Sequence, residues 1–279
     1  MALSVQPFDA PLGAEASGID PKHLSDADHE ALVHALARHG VLVVRDQHLT
    51  PAELVTFSKR FGELEYHVLD QYWLEAQPEI YVISNIVENG KPIGNPREGF
   101  GWHTDLSYMP FPTAYTFLYG IEVPPRGAET LFCTIYPATD ALPAPLRARL
   151  DAMTMRHSYQ TLHAARTWAK PLTESQKARS PDVFHPMIRT HPITGRKGIY
   201  LGGTEVSIPL DMDEREGRQL IDDLFEQSTK AENVYAHTWR PHDLVFWDNR
   251  GVMHSATEYD RDRYRRLIHR TSVRGEKPY

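Results

Sequence analysis

The chain has 279 residues, of which 41% are hydrophobic and 24% charged, with a formal net charge of −7. A chain this long buries about 75% of its unfolded surface, so it needs neither disulfides nor a structural metal to hold a core, and a bound metal would be a working one. The acidic balance argues against nucleic acid as a generic partner, no stretch reaches the roughly 18 to 20 apolar residues of a membrane span, and the single cysteine, Cys133, rules out an internal disulfide. The opening Met1-Ala2-Leu3-Ser4-Val5 has neither a basic n-region nor an apolar h-region, so a reducing cytoplasm is the expected location.

Residues 25–40 read as a helix: Ser25 caps it, Leu32, Val33 and Leu36 share a face, and Gly40 supplies a left-handed end. The apolar run Val41-Leu42-Val43-Val44 follows as a buried strand. Thr50 and Glu53 form a capping box with Pro51 in the first turn, predicting a second helix that Gly62 closes after Phe57 and Phe61. β-Branched and aromatic residues mark strands over 79–86 and 115–123, the latter broken by the turn Pro124-Pro125-Arg126-Gly127.

Residues 156–197 are irregular and basic. Arg156, Arg166, Lys170, Lys177, Arg179, Arg189, Arg196 and Lys197 stand against Glu174 and Asp182, which reads either as anion steering or as a solvated loop. A helix over 213–230 follows through Leu220, Ile221, Leu224 and Phe225, with Gly217 costing it about 1 kcal/mol. Strands resume over 234–239, 243–247 and 264–273. Many strands, few helices and no βα alternation predict one mainly β domain with flanking helices over 1–279, an antiparallel barrel or jelly roll.

The chemistry concentrates at two places. In Trp102-His103-Thr104-Asp105 a histidine and a carboxylate stand two apart on a segment that reads as extended, which projects them to one face. Trp247-Asp248-Asn249-Arg250 leads into His254, which a turn after a buried strand could carry to a barrel mouth; His237, His242 and His269 are rivals. Two histidines and one carboxylate make a facial triad that holds Fe(II) with open positions. A lone His-x-Asp is equally a surface hydrogen-bonded pair. A third element, Arg266-Leu267-Ile268-His269-Arg270, puts Arg266, Ile268 and Arg270 on one face of a strand. If that face looks inward, the guanidinium groups need acids, either from ligands or from protein groups such as Glu122 or Glu129.

Trp102-His103-Thr104-Asp105, Gly127-Ala128-Glu129-Thr130-Leu131, Trp247-Asp248-Asn249-Arg250 with His254, and Arg265-Arg266-Leu267-Ile268-His269-Arg270 together resemble the taurine dioxygenase and 2,4-dichlorophenoxyacetate dioxygenase family of Fe(II)/2-oxoglutarate oxygenases. The resemblance spans nearly the whole chain, including Arg45-Asp46-Gln47, Arg60-Phe61-Gly62-Glu63-Leu64 and Gly275-Glu276-Lys277-Pro278. It implies a double-stranded β-helix (cupin-like jelly roll) with iron held by His103, Asp105 and His254, 2-oxoglutarate as cosubstrate bound through Thr130 and Arg266, and O2 as oxidant. It further implies that Arg270 and His67 hold the anionic group of a small organic substrate, a sulfonate, alkyl sulfate or carboxylate, beneath Tyr159. Asp105 stands where related halogenases have a small residue, so hydroxylation is implied, with succinate and CO2 as coproducts. The family is often dimeric or tetrameric, and a homo-oligomer is expected.

Two departures point away from taurine. Gly99-Phe100-Gly101 lacks the polar side chain that the taurine branch offers its substrate, and Gly202-Gly203-Thr204-Glu205 lacks an aromatic residue, the glycines leaving room for a bulkier anion. Tyr66, Tyr108 and Phe111 read as core before pocket. Two other functions remain open from the residues alone: a zinc hydrolase on the same barrel, since the triad also suits zinc with a water, and a non-catalytic anion-binding barrel. The basic 156–197 segment is expected to act as a lid.

Overall fold

The computed structural model describes residues 2–167, 169–210 and 212–279; Met1 of the N-terminal reading and Trp168 of the basic segment lie outside them. A nine-stranded sheet runs in the order Ser4–Pro7, Ala14–Ser17, Val41–Val44, Leu244–Asp248, Thr113–Glu122, Leu267–Arg274, Gln77–Ser84, Trp73–Leu74, with Leu64–Glu65 also paired to Leu267–Arg274. Its centre is antiparallel: Phe246 stands opposite Phe117 and Leu42, and Ser272 opposite Thr116.

Strand periodicity sends the side chains of this sheet into two cores. One face, with Leu42, Val44, Phe117, Tyr119, Leu244 and Phe246, packs under the helices Asp26–His39 and Pro51–Lys59, where Phe57 meets Phe117 and Phe246 edge-on. The other face, with Val41, Val43, Leu118, Val245, Trp247 and Ile268, turns toward a smaller sheet of Val234–His237, Thr130–Thr134 and Val252–Ala256. Because both faces are covered, residues 41–44 and 244–247 read as unbroken apolar runs. The two sheets form the expected jelly roll.

The first helix has both expected ends; the second starts at its capping box but stops at Lys59, before Phe61 and the Gly62 expected to close it. Ser25 Oγ accepts from the Asp28 N–H and Gly40 takes φ +76°. The Thr50 and Glu53 side chains cap each other's backbone N–H at 3.3 and 2.7 Å. The helix Glu214–Ser228 buries Ile221, Leu224 and Phe225. Among the described residues no helix is long and apolar enough to cross a membrane.

The irregular reading of 156–197 is corrected. The segment carries the end of the strand Thr154–His157, the helices Tyr159–Ala165 and Glu174–Ala178, and the strands Val183–Pro186 and Ile188–Thr190. Most of its cations are tied to acids: Arg156 to Asp182, Arg179 to Asp70, Arg189 to Glu276, Arg196 to Asp140 and Lys197 to Asp151. Charges matched in this way make neither a solvated loop nor a steering field.

Candidate metal centre and substrate cavity

His103 and His254 meet through an isolated antiparallel bridge, each N–H donating to the other's carbonyl at 3.0 and 2.9 Å, with ring centroids 4.1 Å apart. The expected extended segment is limited to this bridge. The chain then turns through Leu106 at φ +48°, and Asp105 comes in beneath the imidazoles. One ligand atom from each of His103, Asp105 and His254 lies within 4.8 Å of the others. His103 Nδ1 lies 2.7 Å from the Gly101 carbonyl, so it carries the proton and Nε2 keeps its lone pair. Gly101 sits at φ +80° with open space where a Cβ would be, so the glycine is required by the turn and not by crowding.

His254 is wedged between Trp247 at 4.5 Å and Phe132 at 6.3 Å, and burial, with His103 nearby, pushes its imidazole down to about 3. It is therefore neutral, the form that ligates. Burial raises the Asp105 carboxyl, but His254, Arg270, His103 and the Thr116 hydroxyl outweigh this and hold it well below the usual carboxylate range. Thr116 donates to Asp105 Oδ2 at 2.7 Å. Asn249 accepts from the Asp105 N–H at 3.1 Å and the Trp247 indole at 3.1 Å, and donates to Thr116 at 3.0 Å. The rest of that motif is a staple: Asp248 receives Arg250 and His191, and Arg250 reaches Tyr115 and Glu276.

The triad opens on a cavity of about 130 Å³ whose walls include His67, Glu98, Tyr108, Tyr159, Arg166 and Arg270. Arg270 is 5% exposed, lies 4.8 Å over the Tyr81 ring and places Nη1 3.3 Å from Asp105 Oδ1. His67 is not a second cation: burial, reinforced by Arg270, takes it down to about 3, and its Nδ1 accepts from the Leu69 N–H at 3.1 Å, which leaves Nε2 as a neutral donor. The Tyr159 ring lies 4.4 Å from Tyr108, and its buried hydroxyl has no hydrogen-bond partner among the described residues. Tyr66 and Phe111 are neither core nor pocket, being 42% and 49% exposed. Gly202 and Gly203 do line the cavity, yet a Cβ on Gly202 would fall 2.0 Å from Ser107 Oγ, so that glycine reflects close packing and not spare room.

Arg266 and Thr130 do not line this cavity. Arg266 is 5% exposed, its Nε has no partner, and burial pulls its guanidinium down to about 10. The acids considered for it are taken: Glu122 pairs with Arg265 at 2.8 Å, and Glu129 accepts from Thr257 at 2.6 Å. Thr130 accepts from the Trp239 indole at 3.1 Å, on the same face of its strand as Phe132. The rival histidines lie outside the cluster: His237 faces Asp243, His242 bonds Tyr119, and His269 alternates to the sheet face opposite Arg270.

Residues 4–272 match the family described as "Taurine catabolism dioxygenase TauD, TfdA family". The chain belongs to this family. It is accordingly an Fe(II)- and 2-oxoglutarate-dependent dioxygenase that consumes O2. Among its relatives, pentalenolactone F synthase of Streptomyces arenae is 34% identical, covering 90% of this chain and 88% of the relative. The (S)-phenoxypropionate/alpha-ketoglutarate-dioxygenase of Sphingobium herbicidovorans is 30% identical over 96% and 94%. The crystal structure of AAD-2 in complex with Mn(II) and N-oxalylglycine superposes with a TM-score of 0.84 at 28% identity, over 100% of this chain and 99% of that one.

The residues present fit the family's two cofactors. A neutral imidazole, a second imidazole with its proton parked on a carbonyl and an ionised carboxylate are a hard and borderline donor set suited to Fe(II). A buried guanidinium with no acid near it among the described residues suits the far carboxylate of a diacid. Three groups escaped the sequence reading: Thr116 and Asn249, which hold Asp105, and Glu98 in the cavity wall. Asn249 stood inside a quoted motif, and Glu98 directly preceded the glycine run, but neither carried a periodicity or spacing that marks a role.

Proposed function

We propose that His103, Asp105 and His254 hold the iron, that Arg266 with Thr130 receives the distal carboxylate of 2-oxoglutarate, and that Arg270 anchors the anionic group of a small organic substrate, a carboxylate or sulfonate, which is hydroxylated. The observation that carries the substrate reading is Arg270 itself, a buried guanidinium on the cavity wall 3.3 Å from Asp105. An anion bound there sits beside the metal ligands, which presents the adjacent carbon to the reactive centre. The name of the Sphingobium relative, a phenoxypropionate dioxygenase, supports a carboxylate with an apolar body.

When bound, iron and 2-oxoglutarate supply the oxidising power that inserts one oxygen atom of O2 into a C–H bond, with succinate and CO2 as coproducts. The chain's own residues do the rest. Thr116 and Asn249 fix the Asp105 carboxylate and backbone, and Gly101 fixes the His103 tautomer. Tyr108, Tyr159 and Leu162 wall the cavity with apolar surface that excludes water, while the free Tyr159 hydroxyl and His67 Nε2 offer neutral donors to the substrate. Residues 1–279 act as one domain in this reading, and the 156–197 segment serves as a lid, because Tyr159, Leu162 and Arg166 come from it.

The test is substrate-dependent succinate formation across aryloxyalkanoates, alkanesulfonates and alkyl sulfates with added Fe(II). Arg270→Gln is expected to abolish the substrate-dependent part while anaerobic 2-oxoglutarate binding persists. Unchanged KM for every active anion in that variant would refute the anchor.

A further inference from the structure

Glu98 is a carboxylate buried in the wall of the substrate cavity, 6% exposed. Its Oε2 accepts from Asn95 Nδ2 at 2.6 Å and from the Tyr81 hydroxyl at 3.1 Å, and its Oε1 faces Arg166 Nη2 at 3.6 Å. Burial opposes its ionisation, yet Arg166, His67 and Arg270 hold it down at about 2. Arg166 reaches it from the end of the helix Tyr159–Ala165 and also lines the cavity. Two guanidinium groups therefore face this space, Arg166 against Glu98 and Arg270 against Asp105 at 3.3 Å, and a bound metal would draw on the second of these carboxylates but not on the first. Asp105 is committed to the triad, His67 is neutral, and Glu205 stands exposed at the rim.

We infer that the Glu98–Arg166 pair determines specificity by fixing substrate charge: it cancels one of the two cavity guanidiniums, so that the site selects an organic monoanion whose remainder is uncharged. This rests on Arg270 as the anion anchor. A second anionic group would meet Glu98, and an ammonium group would meet Arg166. In a space this enclosed, like charges brought together are rejected more strongly than a neutral group is attracted. The pair is a positioning and selecting device and takes no part in the oxidation itself.

Three probes of similar size separate the possibilities: propane-1-sulfonate, ethane-1,2-disulfonate and zwitterionic taurine. Their dissociation constants are read by calorimetry on protein loaded with Mn(II) and 2-oxoglutarate. The wild type is expected to prefer the monosulfonate over the other two by about tenfold or more. Glu98→Gln, which keeps the shape and removes the charge, is expected to leave the Arg166 charge uncancelled in the cavity and shift the preference toward the disulfonate by about tenfold. Arg166→Gln is expected to shift it the other way, toward taurine, and serves equally if the first variant does not fold. Equal binding of mono- and disulfonate by the wild type, or a preference unmoved in both variants, overturns the inference. So does taurine binding tightest to the wild type and losing that rank in Glu98→Gln, which would make Glu98 an ammonium subsite. Arg270→Gln is run alongside: if it leaves monosulfonate binding intact, the anchor is wrong, whatever the charge ratio does.

Discussion

Replacing Arg266 by methionine should make the metal-free protein more stable and the enzyme useless. The guanidinium is buried, its Nε is unpartnered, its backbone N–H is satisfied by Asn85 at 2.8 Å, and burial lowers it from 12.5 to about 10. A drop of that size corresponds to about 3 kcal/mol spent on keeping a cation where no acid awaits it. Methionine removes that cost and retains most of the apolar stem, so a net gain of about 1 to 3 kcal/mol is expected after some loss of packing. For a chain of this length that is a rise of roughly 2–4 °C in Tm per kcal/mol. The opposite holds for 2-oxoglutarate. Losing the partner of a desolvated carboxylate costs about 2 to 5 kcal/mol, a thirtyfold to several-thousandfold weaker complex. Differential scanning calorimetry of the metal-free variant and an anaerobic 2-oxoglutarate titration with Mn(II) check the two halves. A variant no more stable than the wild type, with 2-oxoglutarate affinity within threefold, would refute the idea that this cation is stored for a diacid.

Asn249→Ala should weaken Mn(II) binding by about 10- to 100-fold, because it frees the Asp105 N–H and the Thr116 hydroxyl together; Mn(II) titration by electron paramagnetic resonance reads this, and an unchanged affinity would leave Asn249 with a merely structural role. Acid should destabilise the metal-free protein well above the carboxylate range. Burial holds His185 and His269 down at about 4 and His157 well below its ordinary value, so each is neutral when folded and takes a proton on unfolding below about 6.5. Stability is then present above that pH and falls toward pH 4 by up to about 1.4 kcal/mol per pH unit for each of them, and a urea midpoint that is the same at pH 7.5 and 5 would contradict it. Thr50→Ala should cost about 1 kcal/mol through loss of the capping box while leaving 2-oxoglutarate affinity unchanged, which separates general loosening from effects at the site.

What could be read from the sequence follows from how local each determinant is. Caps at Ser25, Gly40 and Thr50 act within a few residues, and the helices they bound lie where expected. The large sheet was legible because its centre is covered on both sides, so residues 41–44 and 244–247 are apolar throughout. The small sheet was not. Thr130–Thr134 and Val252–Ala256 were missed because their inward positions carry Thr130 and His254 where a structural strand would carry valine or leucine, and the strand expected to reach residue 239 stops at His237. The 156–197 segment failed for another reason: its order depends on Asp70, Asp140, Asp151 and Glu276, all outside it, and no window along the chain contains both halves of those pairs.

At the site, spacing identified residues but not their electrostatic fates. The period of two would make Arg266 and Arg270 equivalent on a regular strand, but the strand begins at Leu267 and its register shifts between Leu267 and Ile268, so Arg266 stands before it. Folding separates them. The 98–105 segment brings Asp105 and Glu98 toward Arg270, which lies over the Tyr81 ring, whereas among the described residues nothing acidic reaches Arg266, whose charged neighbour is Arg261. One cation thus has Asp105 beside it in the apoprotein, a carboxylate that a bound metal would share, so a substrate anion recovers only part of its desolvation cost, which suits modest, selective binding. The other has no partner to lose, so an arriving carboxylate recovers the whole desolvation cost, which suits a cosubstrate that must be in place before the substrate. The order of binding would then be set by the shape of one loop, a property that no residue in Arg266-Leu267-Ile268-His269-Arg270 encodes.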